Sequence, residues 1–277
     1  MSAFLISGAS TGIGEASTVL LAEKGHLVFA GVRSEADAVR IASQSASVRP
    51  VVLDVTSSDS IERAMNEVDA SGAQLDGVVC NAGIALGGPL EHLPIDELRR
   101  QFEVNVFGAL ALAQAYLTRV SDGGGRIVFV GSISGRLATP YIGPYSASKF
   151  ALRALSDALR IELAPAGVSV SLIEAGSVRT PIWKKGRDRR NTMLERLGPN
   201  PRSHYRAALE RLFAITEAEE RDSMPVDVVT TAIAHALIDR KPRAHYLLGP
   251  GARIGSIVAV LPPELRDRAI RKSMKIP

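Results

Sequence analysis

The 277-residue chain carries one cysteine, Cys80, and one tryptophan, Trp183, and only 5% of it is aromatic. A lone cysteine excludes an internal disulfide and a multi-cysteine zinc site. It fits a reducing, cytoplasmic setting, which is the expected location. The five histidines (His26, His92, His204, His235 and His245) never fall three or four residues apart, so no local metal pair exists and no metal is expected. No apolar run reaches the ~18 residues of a membrane-crossing helix. The chain starts almost directly on the strand-like Ala3-Phe4-Leu5-Ile6, with no charged leader or small-residue cleavage site, so no signal peptide is expected. A hydrophobic fraction of 46% against 22% charged excludes global disorder.

Charge of one sign is also scarce outside the tail. The net charge is +4, and the residues from Gly251 onward account for all of it: Arg253, Arg266, Arg268, Arg271, Lys272 and Lys275 against Glu264 and Asp267. The balanced remainder argues against a nucleic-acid partner. After Pro262-Pro263 the tail has two readings. One is a basic amphipathic helix over 264–275 that touches a membrane surface or a lipid-like substrate; the other, preferred, is a surface helix or subunit contact.

What is abundant is alternation. Short apolar runs at Ala3–Ile6, Leu27–Ala30, Val51–Val55, Gly77–Cys80, Arg126–Val130, Val168–Ile173 and Tyr246–Leu248 are separated by helix-like segments at 12–24, 35–45, 57–70, 95–119, 145–164 and 226–239. Unbroken Val/Ile/Leu blocks are what strands covered on both faces require. The pattern predicts an α/β fold, a single-domain doubly wound parallel (Rossmann) sheet of about seven strands with right-handed crossovers. Lys24-Gly25 reads as a helix end, Ser34 with Asp37 as a helix start, and Gly143-Pro144 as another. Residues 1–277 read as one domain. Within it 183–224, charged and irregular, is an inserted helical lid over the site, and 251–277 is the basic extension.

After the first strand comes Ser7-Gly8-Ala9-Ser10-Thr11-Gly12-Ile13-Gly14. Glycines in a strand-to-helix turn let backbone approach a pyrophosphate, and the helix N-terminus presents N–H groups and partial positive charge to it. The spacing Gly-x3-Gly-x-Gly departs from the common dinucleotide fingerprint, so its place between first strand and first helix carries the reading. About 20 residues on, where a carboxylate would take a ribose hydroxyl, the chain has Arg33, whose planar fork suits a 2′-phosphate. NADP is therefore expected, with NAD less favoured. Asp54 either hydrogen-bonds an adenine amine or caps the helix entered near Ser57. Small residues at Asn81-Ala82-Gly83, after the fourth strand, let a loop close on the dinucleotide.

Tyr145 and Lys149 lie four apart on an expected helix and share a face. A phenol near pKa 10 is a poor base at neutrality. A neighbouring ammonium and a pyridinium ring are expected to bring that value down to roughly 7, a change that takes about 4 kcal/mol. Tyr145 then trades a proton with a substrate oxygen that the Ser132 hydroxyl orients.

Taken together and in this order, the Gly8/Gly12/Gly14 loop, Asn81-Ala82-Gly83, Ser132 and Tyr145-Ser146-Ala147-Ser148-Lys149 resemble the short-chain dehydrogenase/reductase family, strongly over residues 3–182. The resemblance implies an NAD(P)-dependent alcohol dehydrogenase or ketoreductase acting on a small-molecule carbonyl or alcohol. It implies that Asn105 holds a water linking Lys149 to solvent and that Lys149 also binds nicotinamide-ribose hydroxyls. Val55, Val178 and Thr180 are implied cofactor contacts, Thr180 at the carboxamide. Ala175 stands where the family usually has proline. Leu53–Thr56, Tyr145–Phe150 and Val170–Glu174 are similar to the hydroxysteroid and retinol dehydrogenase branch. Family members are usually dimers or tetramers built partly on the 95–119 and 145–164 helices, so a homodimer or homotetramer is implied. Substrate choice falls to 85–95, 133–143 and 183–222, where Leu86, Leu137, Tyr141, Ile142 and Trp183 either line an apolar pocket or pack the lid. A non-catalytic nucleotide-binding sensor or scaffold is the alternative, disfavoured because such a protein needs no intact Ser-Tyr-Lys set.

Overall fold

The computed structural model describes residues 1–120, 124–181, 190–196 and 203–274. Seven strands, β1 (Ala3–Ser7), β2 (Leu27–Val32), β3 (Val48–Val52), β4 (Leu75–Cys80), β5 (Gly125–Val130), β6 (Val168–Ala175) and β7 (His245–Leu248), form one sheet in the order β3-β2-β1-β4-β5-β6-β7. Every neighbouring pair is parallel. The order reverses between β1 and β4. In open α/β sheets that switch leaves a crevice beyond the strands' carboxyl ends.

The helices between them are α1 (Gly12–Glu23), α2 (Glu35–Ala42), α3 (Ser58–Ala70), α4 (Ile95–Phe102), α5 (Gly108–Leu117), α6 (Gly143–Glu162), α7 (Arg190–Arg196), α8 (Ser203–Arg221) and α9 (Val226–Ile238), with α10 (Pro250–Ala259) and α11 (Pro263–Met274) after the last strand. The central strands are buried along almost their whole length, as the unbroken apolar runs predicted. One sheet face packs Phe4, Ile6, Val28 and Val128 with Leu21 of α1 and Val229 and Ile233 of α9. The other packs Leu5, Phe29, Val78 and Phe129 with Met65 of α3, Leu112 and Tyr116 of α5 and Leu152 of α6. Each fully buried aliphatic or aromatic side chain contributes roughly 1.5–3 kcal/mol.

Local punctuation behaves as the sequence predicted. Gly25 takes φ +81° just past α1, the Ser34 hydroxyl accepts from the Asp37 N–H at 3.2 Å, and Pro144 sits in the first turn of α6. Two expectations need correction. The third strand starts at Val48 and ends at Val52, so Asp54 and Val55 lie beyond it. It is an edge strand, and an edge tolerates Arg49 and Pro50, which break the apolar run. The segment 95–119 is two helices joined by a π-turn at Glu103–Phe107. Residues 250–259, unassigned from sequence, form α10. Residues 264–274 of the tail are helical as α11, with Ile270 and Met274 turned inward, and Lys275 lies outside the described residues. No helix among the described residues is long and apolar enough to cross a membrane.

Candidate active site

The glycine loop spans β1 and α1 at the sheet's switch point. Gly8 and Gly12 hold φ of +64° and +63°, which a side chain would strain. A Cβ on Gly14 would fall 2.3 Å from the Gly8 carbonyl oxygen and 2.6 Å from Asn81 Nδ2. Thr11, the N-cap of α1, makes no side-chain capping bond, so the first-turn N–H groups, Ile13's among them, stay available to an anion. This close, donor-lined turn fits a dinucleotide pyrophosphate.

Asn81 does more than leave room. Its Nδ2 donates to the carbonyls of Ser7 (2.9 Å) and Gly8 (3.1 Å), and the N–H groups of Asn81 and Ala82 both reach Ser7 Oγ. The ends of β1 and β4 are thereby laced together beneath the loop. Arg40 of α2, which no sequence pattern singles out, pairs with Glu15 and donates to the Ser10 carbonyl, holding the loop's outer edge.

Arg33 lies exposed just past β2. Asp54 resolves its own two readings partly. It does not cap α3, because Ser57 does so by accepting from Ser60 N–H at 3.2 Å. Asp54 Oδ1 instead accepts from the Thr56 N–H and hydroxyl. Those hydrogen bonds, with the field of Arg33, hold its carboxyl below the usual range against opposing desolvation. Val55 is buried against Gly108, where a Cβ would meet it at 2.7 Å.

Tyr145, Lys149 and Ser132 lie close together. The Ser132 hydroxyl neighbours the Tyr145 hydroxyl closely enough to favour its ionised form, and Lys149 Nζ lies 5.7 Å from the Tyr145 ring centroid. The electrostatics differ from expectation. Desolvation pushes the phenol above its ordinary pKa, with the neighbouring Ser132 hydroxyl opposing. Lys149, 6% exposed, is itself lowered to about 8 by burial, and its ammonium donates to the Val130 carbonyl at 2.7 Å. The protein's own groups therefore leave Tyr145 protonated at neutrality, because burial disfavours the charged phenolate.

Asn105 sits in the π-turn, a distortion that frequently marks functional sites. Its Oδ1 accepts from the Ile84 N–H (2.8 Å), and its Nδ2 donates to the Ile84 carbonyl and to Ser148 Oγ. A Cβ on Gly83 would lie 3.4 Å from Asn105 Oδ1 and 3.9 Å from Lys149 Nζ, so the two groups flank one point. Buried Gln101, a turn earlier and equally without a sequence signal, holds the same loop through Leu86 N–H and the Ile84 carbonyl.

Beyond β6, Val178 is buried and bridges to Met224. Thr180 packs over Gly12, where a Cβ would meet its own at 3.2 Å. Of the five candidate pocket residues, Leu86 is buried and Tyr141 packs with Leu209 and Phe213 of α8. Leu137 faces Gly255 of α10, Ile142 N-caps α6, and Trp183 lies outside the described residues. Tyr141 holds φ +69° and its carbonyl accepts from the Gly88 N–H at 2.6 Å, tying the loops around 88 and 141 together. Within the segment 183–224 expected to form a lid, the described residues include the helices α7 and α8, and Glu219 of α8 accepts from Ser177 at 3.3 Å.

The short chain dehydrogenase family model matches residues 2–191. The chain is 32% identical over 280 residues, 98% of its length and 96% of the relative's, to the NADPH-dependent 3-dehydrocapnine reductase of Ornithobacterium rhinotracheale. It is 31% identical to retinol dehydrogenase 5 of Mus musculus over 258 residues, 90% of this chain and 81% of that one. A short-chain dehydrogenase from Streptomyces avermitilis superposes with a TM-score of 0.78 at 26% identity, covering 99% of this chain and 96% of its own. With a glycine-lined crevice at the switch point and Ser132, Tyr145 and Lys149 gathered beside it, the chain belongs to the short-chain dehydrogenase family and is an NAD(P)-dependent oxidoreductase.

Proposed function

We propose that the protein is an NADP(H)-dependent oxidoreductase interconverting a secondary alcohol and a ketone on an apolar small molecule. One observation carries this reading: the Ser132 hydroxyl lies beside the Tyr145 hydroxyl while Lys149 sits over the same ring, so donor, orienting hydroxyl and cation share one corner of the crevice. When bound, NADPH supplies the hydride.

The chain's residues do the rest. Gly8, Ser10, Thr11, Gly12, Ile13 and Gly14 seat the pyrophosphate. Asn81, Ala82 and Gly83 close against the dinucleotide, Asp54 and Val55 border the adenine, and Arg33 takes the 2′-phosphate. Lys149 and Thr180 hold the nicotinamide end beside Val178. Ser132 donates to the substrate oxygen and fixes its direction. Tyr145 Oη, protonated at neutrality, gives its proton to that oxygen, and the Lys149 ammonium then faces the phenolate. Asn105, whose Oδ1 keeps a second lone pair, holds the water that returns the proton. A ketone as substrate and NADPH as donor are supported by the name of the 3-dehydrocapnine reductase. An apolar substrate is supported by the apolar packing of Tyr141 with Leu209 and Phe213 of α8. Exposed Phe107, Phe150 and Ile161, at 54, 41 and 67%, support a homodimer or homotetramer through the α5 and α6 side.

The test is absorbance at the reduced-nicotinamide band with a panel of ketones and secondary alcohols. Tyr145→Phe should abolish turnover while leaving NADPH binding intact. Unchanged turnover in that variant removes the assigned role.

A further inference from the structure

Glu174, the penultimate residue of β6, is a carboxylate with no exposed surface, directly behind the site. Four basic side chains converge on it or its neighbour. Arg136 grips it with two donors, Nε to Oε1 at 2.7 Å and Nη2 to Oε2 at 2.5 Å. His245 of β7 bridges, with Nδ1 to Glu174 Oε2 and Nε2 to Asp157 Oδ1 of α6, both at 2.8 Å. Arg153 of α6 lies 3.7 Å from Glu174 Oε1, and Arg160 pairs with Asp157 at 3.3 Å.

Arg136 closes the turn that Ser132 opens. Ser134 N–H donates to Ser132 Oγ at 3.1 Å, Gly135 N–H to the Ser132 carbonyl at 2.9 Å, and Arg136 N–H to the Ile133 carbonyl at 2.8 Å. The turn is also pressed on α6: a Cβ on Gly135 would lie 2.8 Å from the Lys149 carbonyl oxygen. It is thus wedged between the Lys149 backbone and the Glu174 carboxylate. Ala175, next in line, lacks a proline's fixed φ to stiffen the strand end. A buried ion pair is a weak source of stability relative to apolar packing, so its place here calls for another reason.

We infer that Glu174 and Arg136 are positioning residues: through them β6 fixes the Ser132 turn against the helix that bears Tyr145 and Lys149. His245 and Asp157 complete the clamp by tying β7 and α6 to the same carboxylate. The inference rests on the roles proposed above for Ser132 and Tyr145.

The experiment is a double-mutant cycle on the full-length enzyme, with Glu174→Gln and Ser132→Ala alone and together. Ketone-reduction kcat and KM, NADPH affinity and melting temperature are read for each. A misplacement of ~1 Å at a reacting group costs about 100-fold. Glu174→Gln is expected to lower kcat by that order, with NADPH affinity within about twofold. In the Ser132→Ala background the same change should cost almost nothing, because residues acting through one another are non-additive. Arg136→Lys, which keeps the charge and loses the fork, provides a second variant where Glu174→Gln folds poorly, with the same expected pattern. Wild-type kcat in either folded variant overturns the inference. So does a loss that multiplies fully with that of Ser132→Ala, the result expected of a purely structural pair. Full activity in Ser132→Ala alone instead removes the role of Ser132, and the inference with it.

Discussion

Lys149 carries a tension between stability and chemistry. Its ammonium is buried and titrates at about 8 against an ordinary 10.5, which corresponds to a cost of about 3 kcal/mol for holding the charge there at neutrality. Between those two values the unfolded chain binds the extra proton, so this penalty is present below pH 8 and fades as pH rises toward 10.5. Lys149→Met should therefore lose turnover by at least about 100-fold yet melt no earlier than wild type at pH 7. Calorimetry alongside steady-state rates checks both halves, and a large drop in melting temperature would show the ammonium to be stabilising. Arg33 sets a second test at this scale. A lost charge-assisted bond of 1.5–3 kcal/mol corresponds to roughly 10–100-fold. Arg33→Ala should weaken NADPH by that much and NADH hardly at all, as measured by fluorescence titration. Equal weakening would refute the 2′-phosphate assignment.

Among the elements, the β1–α1 turn tolerates least. Gly14→Ala would drive a methyl into the Gly8 carbonyl and Asn81, an overpacking that costs about 1–3 kcal/mol. It should also abolish dinucleotide binding. Gly25→Ala meets nothing within 4 Å and strains only its positive φ. It should cost about 1 kcal/mol and leave binding untouched. Chemical denaturation and cofactor titration of the pair separate steric closure from simple backbone strain. The π-turn at Glu103–Phe107 belongs to the same scale. The apolar period of 95–119 continues across it, so a single long helix was the natural reading. The extra residue turns Asn105 toward Ile84 and Ser148, contacts that lie 21 and 43 positions away in the chain.

For the molecule as a whole, the Glu174 cluster sets a pH window. Desolvation raises Glu174, but hydrogen bonds from His245 and Arg136 outweigh it and hold the carboxyl at about 2 against an ordinary 4.5. Its contribution, of the order of 3 kcal/mol, is complete above pH 4.5 and is lost as pH falls toward 2. His245 is shifted upward, chiefly by its hydrogen bond to Glu174. Its share is complete below about 6.5 and fades as pH rises through its folded value. The melting temperature should be highest between about pH 4.5 and 6.5 as far as this cluster governs it, and Glu174→Gln should flatten the acid limb by roughly 10 °C. An unchanged acid limb in that variant would place the acid-labile charges elsewhere.

The chain's own order of residues was enough for the parallel sheet, the glycine turn and the Tyr145–Lys149 pair. Each rests on short-range rules: unbroken apolar runs, glycine where backbone must come close, and four-residue spacing on a helix. Tertiary structure alone decided the start of β3, the break at Asn105, the partner of Asp54 and the state of the Tyr145 phenol. It alone joined Arg136, Glu174 and His245, which are 38 and 71 positions apart. Edge exposure, desolvation and long-range hydrogen bonds depend on which surfaces meet after the sheet has closed, and no local pattern encodes that.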